Sequence, residues 1–316
     1  MIGGARSGGP LAFVLAGGGS LGAVEVGMLE ALTAAGIRPD LVVGASVGAI
    51  NGVYYAADPT RAGVERLCRI WQRVTRQDVF PWSALGVLLG LGCWRRSLLD
   101  AGPLRALLER ELTVRRLEDT QIPCYVTATD ALDGAEVTLG AGPAVEALLA
   151  SAAIPALFPP AERDGRYLID GGVASNTPLA AAVSLGARHV VVLPTGFSCA
   201  VRQPPRGAVA MVLHAFTLLV ARQLVADIER FAARAHIAVV PPLCPLGVSS
   251  YDFSHATTLM DRARATAASW LADGGLARDG DVPRALEAHQ HRDDPVLAPG
   301  EVGAPGVPLA GGGSRE

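Results

Sequence analysis

The residues best suited to chemistry sit in two glycine-rich turns. Gly17-Gly18-Gly19-Ser20-Leu21-Gly22 and Gly44-Ala45-Ser46-Val47-Gly48 each follow a short apolar run. The first turn can offer backbone N–H groups to a negative charge at a helix N-terminus. The second can hold Ser46 on a tight strand-to-helix elbow, with Gly44 and Gly48 making room. A third element, Asp170-Gly171-Gly172, ends another apolar run and supplies a carboxylate with two flexible residues behind it. Nucleophile, anion hole and candidate base together suit attack on a carbonyl carbon.

Each motif has a plainer reading when taken alone. Ser46 could be an ordinary N-capping serine, and Asp-Gly-Gly a simple turn. The first motif also fits G-x-G-x-x-G, the dinucleotide fingerprint. That site wants an acidic residue at the end of the second strand. Here the strand ends in Val43-Gly44, and Asp40 lies at its other end, so anion stabilisation is the better reading. A Ser-Asp-His triad could enlist His189, His214, His236 or His255 in the right chain order. Enzymes of that kind put several strands ahead of the nucleophile, whereas one strand precedes the elbow here.

The elements that must position these residues follow from hydrophobic patterning. Leu11–Ala16 reads as a buried strand and Leu21–Ala35 as a helix closed by Gly36. Leu41–Val43 is a second buried strand, followed by helix from Val47 to Ala57. After the break at Asp58-Pro59-Thr60, a helix runs to about Arg76. Pro103–Leu112 looks helical. Cys124–Ala128 and Glu136–Leu139 read as strands joined across Asp133-Gly134. Pro143–Ser151 reads as helix, and Arg166–Ile169 as a strand after the Asp164-Gly165 turn. Then come helix Leu179–Leu185, strand His189–Leu193, a long helix over 207–235, strand His236–Val240 and helix His255–Leu271. Strand and helix in alternation with short connections predict a three-layer α/β/α fold around a mostly parallel sheet.

The expected division is a loose N-terminus over 1–10, one catalytic domain over 11–273, and a disordered Gly- and Pro-rich tail over 274–316. Net charge is −3 with no basic block, which disfavours nucleic acid as a partner. The chain contains no lysine, so all 27 basic residues are arginine, a bias of genome composition rather than function. Five cysteines stand at 68, 93, 124, 199 and 244 without metal-ligand spacing. They read as reduced thiols of a cytoplasmic protein. No metal, calcium or organic cofactor is expected.

The run Leu11–Ala16 is too short for a secretory leader. No stretch reaches the ~20 apolar residues of a membrane span. Ala208–Ala221 is the longest candidate, and reads as a buried helix. Residues 79–96 are unusual: Phe80, Trp82, Leu85, Val87, Leu88, Leu89, Leu91 and Trp94 are joined by glycines and met by Arg95 and Arg96. Such a segment suits either transient contact with a membrane surface or a cap over the core.

Taken in order, the three motifs resemble those of the patatin-like phospholipase family, over roughly residues 10–272. Supporting similarity lies in the stretch from Ser151 to Pro160, and in Asn176 with Pro178. The resemblance implies a patatin-like α/β fold and a lipid or ester substrate. It also implies a Ser46-Asp170 dyad without histidine, with an oxyanion held by the N–H groups of Gly18, Gly19 and Ser20. Gly17, Gly22, Gly44, Gly48, Gly171 and Gly172 are the accompanying motif glycines. One departure is Leu21, where the family usually carries Arg or Lys. The function this implies is lipid acyl hydrolysis. Acyl transfer to another acceptor, and a catalytically silent lipid-binding protein, are the alternatives. Desolvation of Asp170 beside Ser46 is expected to raise its pKa, with activity falling in acid. Location at a membrane periphery fits a lipid substrate; the oligomeric state is left open.

Overall fold

Strand β1 (Leu11–Leu15) is buried on both faces, which requires helices above and below it. The computed structural model describes residues 8–81, 97–196, 208–244, 246–283 and 286. Within them β1 is a central strand of one sheet. It pairs in parallel with β2 (Leu41–Ala45) on one side and β7 (His189–Leu193) on the other. Strand β3 (Cys124–Asp130) extends the parallel set beyond β2, and β8 (His236–Val239) extends it beyond β7. Strands β4 (Glu136–Leu139) and β6 (Arg166–Asp170) each pair antiparallel with β3, and β5 (Ala161–Arg163) pairs antiparallel with β6. The main order is β5-β6-β3-β2-β1-β7-β8.

Alternation along β1 assigns the layers. Phe13 and Leu15 pack with helices α1 (Gly22–Ala34), α2 (Val47–Ala57), α3 (Arg61–Arg73) and, after α4 (Arg76–Val79), with α5 (Gly102–Glu111) and α6 (Ala144–Ser151). Ala12 and Val14 face the opposite layer. It follows the short α7 (Gly172–Ser175) and is built from α8 (Leu179–Ser184) and α9 (Ala208–Phe231). Helix α10 (Ala256–Ala272) returns to the first layer. There Gly27 of α1 lies so close to the Met260 carbonyl that a side chain could not fit between them. The architecture is a three-layer α/β/α arrangement around a mostly parallel sheet.

Several boundaries differ from the sequence reading, each for a local reason. The helix expected to run to Arg76 stops at Arg73, because Thr75 and Asp78 form a capping box that starts α4. Strand β5 is absent from the sequence reading. It forms because Asp164 and Gly165, both at positive φ, close a hairpin onto β6. Helix α9 spans less than 207–235, and it is not wholly buried. Val220, Leu224 and Ile228 face the core while Met211, Leu218 and Leu219 are exposed. The sequence reading put residues 274–316 in a disordered tail, of which 275–280 form structure against β8. Gly275–Ala277 form a 3-10 turn, Ile237 N–H donates to Asp279 Oδ1, and Gly280 N–H donates to the Ile237 carbonyl. Its polar composition concealed this backbone pairing along β8.

Of the segment 79–96, residues 82–96 lie outside the described residues. Phe80 at its start is 3% exposed and stacks on Phe158, so this residue belongs to the core. Among the described residues, no helix is long and apolar enough to cross a membrane.

Candidate active site

The elbow after β2 is strained. Ser46 has φ 53° and ψ −124°, a conformation a non-glycine residue adopts only when its surroundings impose it. Its N–H donates to Ser151 Oγ at 2.8 Å, and that hydroxyl donates to the Thr127 carbonyl at 2.6 Å. Its carbonyl accepts from Ala49 and Ile50 and starts α2. Gly48 permits the tight packing beneath: a Cβ there would lie 2.5 Å from the Ala16 carbonyl oxygen. Helix α2 therefore abuts the backbone that leaves β1.

Ser46 Oγ donates to Asp170 Oδ2 at 2.7 Å. The other carboxylate oxygen accepts from Gly172 N–H at 2.7 Å. The Asp170 main chain is fixed as well. Its N–H donates to the Ala153 carbonyl, and its carbonyl accepts from Thr129 Oγ1 at 2.8 Å. Asp170 is 6% exposed. Burial raises its pKa to about 6, although the bonds from Ser46 and Gly172 pull the other way. That value keeps the carboxylate ionised at neutral pH and makes it a far better proton acceptor than an exposed aspartate.

The glycine-rich loop is clamped from three directions. Gly17 N–H donates to the Asn176 carbonyl at 2.9 Å, and the Gly17 carbonyl accepts from Asn176 Nδ2 and Thr195 Oγ1. Ser20 N–H donates to the Ser250 carbonyl at 2.8 Å, and Ser20 Oγ to the Ser249 carbonyl at 3.0 Å. The Ser20 N–H, expected to be an anion donor, is thus committed to the 249–250 segment. Among the described residues nothing accepts from the N–H groups of Gly18 or Gly19. A Cβ at Gly17 would stand 2.5 Å from Asn176 Oδ1 and 3.2 Å from Ser46 Cβ, so glycine lets the loop approach Ser46. Leu21 is buried in the core, and that position carries no charge here.

A second polar cluster lies behind the loop and escaped the sequence reading. Asn51 on α2 accepts from Trp71 Nε1 at 2.9 Å. It donates to the Gly22 carbonyl at 2.9 Å and to Glu25 Oε2 at 2.8 Å. Glu25 is fully buried, and burial holds its carboxyl well above the usual carboxylate range. The signal was present: a glutamate stands inside the apolar run Ala23-Val24-Glu25-Val26.

An apolar cleft of about 690 Å³, its open mouth included, starts at Gly19 and Ser46. It continues between α2, α3 and α5, past Ile50, Trp71 and Leu108, to Tyr54. Three of the histidines stand elsewhere. His189 and His236 begin β7 and β8, at the sheet edge opposite the elbow, and His255 faces Asp252 beside α10. The side chain of His214 lies outside the described residues. Among the described residues no group of three His, Cys, Asp or Glu side chains could hold a metal ion.

This arrangement has counterparts of known family. Residues 13–183 match the family described as patatin-like phospholipase. The chain belongs to that family, and the matched region contains the loop, Ser46 and Asp170. Among its relatives is patatin-like phospholipase domain-containing protein 6 of Homo sapiens. It is 29% identical over 192 residues, covering 60% of this chain and 14% of the relative. Neuropathy target esterase sws of Drosophila melanogaster is 28% identical over 192 residues, covering 60% of this chain and 13% of the relative. Lysophospholipase NTE1 of Saccharomyces cerevisiae is 27% identical over 202 residues, covering 60% of this chain and 11% of the relative. The similarity thus spans a small part of these long proteins. Among solved structures, VipD from Legionella pneumophila aligns at a TM-score of 0.41 and 14% identity, over 84% of this chain and 67% of that one.

Proposed function

We propose that the chain is a lipid acyl hydrolase that uses Ser46 as nucleophile and Asp170 as its sole proton acceptor. The observation that carries this reading is the 2.7 Å bond from a strained, buried serine to a desolvated carboxylate at the mouth of an apolar cleft. The names of its relatives, a phospholipase domain protein, an esterase and a lysophospholipase, favour the same chemistry.

In the first half-reaction Ser46 Oγ attacks the ester carbonyl carbon as its proton passes to Asp170 Oδ2. The carbonyl oxygen becomes an oxyanion held by the N–H groups of Gly18 and Gly19. One such donor is typically worth ~3 kcal/mol of barrier. Collapse expels the alcohol, which takes the proton from Asp170. In the second half-reaction Asp170 removes a proton from water, and the hydroxide attacks the acyl-serine. Loss of the carboxylic acid returns the proton to Ser46. Asp170 can act alone because its raised pKa brings it near the operating pH. The Ser46 bond already sets the transfer geometry.

The test is labelling with a fluorophosphonate probe, followed by product analysis. Wild type is expected to label and to release free fatty acid from a phospholipid or simple ester, and Ser46→Ala to do neither. Products carrying the acyl group on another alcohol or thiol would identify acyl transfer instead. An unlabelled wild type with bound lipid would identify a silent binding protein.

A further inference from the structure

The cleft behind Ser46 has a measurable depth. Ser46, Ile50 and Tyr54 line it at positions i, i+4 and i+8, one face of α2. At 1.5 Å of rise per residue, Tyr54 lies about 12 Å from Ser46. Leu67 of α3 and Leu108 of α5 form part of the facing wall.

Tyr54 stands at the far end of that face of α2. Its hydroxyl is buried and has no hydrogen-bond partner among the described residues. Beyond its ring lies a second hollow of opposite character, to which Tyr54 also contributes. Arg69, Arg73, Asp58 and Glu111 line that hollow. Tyr54, Leu67 and Ile70 line both hollows and so stand between hydrocarbon-like space and charged space. A hydrocarbon chain entering from Ser46 gains by burial up to the ring and gains nothing beyond it.

We propose that Tyr54 is the chain-length stop of the acyl site, and that the preferred substrates are esters of medium-chain acids. Three backbone bonds extend by at most ~3.6 Å, or about 1.2 Å per bond, so about 12 Å holds roughly ten bonds of an extended chain. Acids of about eight to twelve carbons fill this space. The inference rests on Ser46 being the residue acylated, and it adds the class of acyl group that Ser46 accepts.

The experiment is a ladder of p-nitrophenyl esters from acetate to palmitate, with kcat/KM measured for wild type and three variants. Wild type is expected to rise by up to about fourfold per methylene and to level off near ten carbons. Tyr54→Ala joins the two hollows, and should move the optimum upward by several carbons. Tyr54→Phe keeps the ring and should keep the wild-type optimum. Ile50→Trp narrows the cleft about 6 Å from Ser46, and should move the optimum down to about five carbons. The opposed shifts keep the test decisive if the alanine variant folds poorly, because the tryptophan variant reads the same axis. A wild-type optimum at palmitate, or an optimum that neither Tyr54→Ala nor Ile50→Trp moves, overturns the proposal and leaves the hydrolase reading standing. Absence of turnover on every ester, together with no fluorophosphonate labelling of Ser46, overturns both.

Discussion

Ser46 and Asp170 stand at the same height in the sheet, one strand apart. Ala45 is in register with Thr127 of β3, and Ala128, the next residue of β3, is in register with Asp170 of β6. Strand β3 thus acts as a ruler between the serine and the carboxylate, and Ser46 Oγ and Asp170 Oδ2 meet across it at 2.7 Å. The pair depends on strand register rather than on a mobile loop, so its geometry is set once the sheet forms.

The pH dependence of turnover follows from the Asp170 environment. Burial brings its pKa to about 6, and only the ionised form can accept the Ser46 proton. The expected kcat/KM rises tenfold per pH unit below about 6 and is level above it. A profile that stays flat down to pH 4.5 would remove Asp170 as the base.

Asp170→Asn should separate activity from stability. Turnover is expected to fall by about 10³-fold or more, since an amide cannot accept the proton. Stability should move the other way at high pH. The folded-state pKa of Asp170 is raised, so the wild type holds its full stability below the ordinary value of 3.8 and loses it as pH climbs through about 6. Asparagine carries no such loss. Urea melts should therefore find the variant more stable by up to about 3 kcal/mol at pH 8, with the difference vanishing near pH 4.

Ser151→Ala tests the support of the strained elbow. Its hydroxyl accepts from Ser46 N–H and donates to the Thr127 carbonyl, both buried. Removing it orphans two backbone groups, at a cost of about 1–3 kcal/mol. It also loosens Ser46, so kcat should fall while KM changes little. Thermal unfolding and steady-state kinetics read the two effects separately.

Asn51→Ala should unravel the cluster behind the loop. Trp71 Nε1, Glu25 Oε2 and the Gly22 carbonyl all lose their asparagine partner. The expected cost is about 3 kcal/mol, lowering Tm by about 6–12 °C for a domain of this size. A melting temperature within a degree of wild type would show that the cluster is not structural.

The candidate residues were easier to single out in the sequence than the details of the scaffold that carries them. Glycines around Ser46 and ahead of Gly22 announce tight turns, because few other residues fit there. Asp170 was selected as the end of a strand in a parallel α/β sheet. Its strand in fact runs antiparallel to β3, and the aspartate reaches the site because β6 ends at the level of Ala128. The structure places Asp170 beside Ser46, by a route the sequence did not display, since strand direction is a long-range property. The use of Ser20 N–H by Ser250 was invisible for a similar reason: the partner lies 230 residues further along the chain. Strand β5 carried a hairpin signal in Asp164-Gly165, but Ala161-Glu162-Arg163 is too short and too polar to read as a strand alone.

The clasp between Ser20 and residues 249–250 has a practical side. The stretch shared with the family ends at residue 183, ahead of β7, which covers one edge of β1, and of the segment that grips the glycine loop. A fragment trimmed to the shared stretch would carry both Ser46 and Asp170 and still lack part of their mounting. Expression of a minimal unit has to retain the chain through α10, and homology alone marks the cut too early.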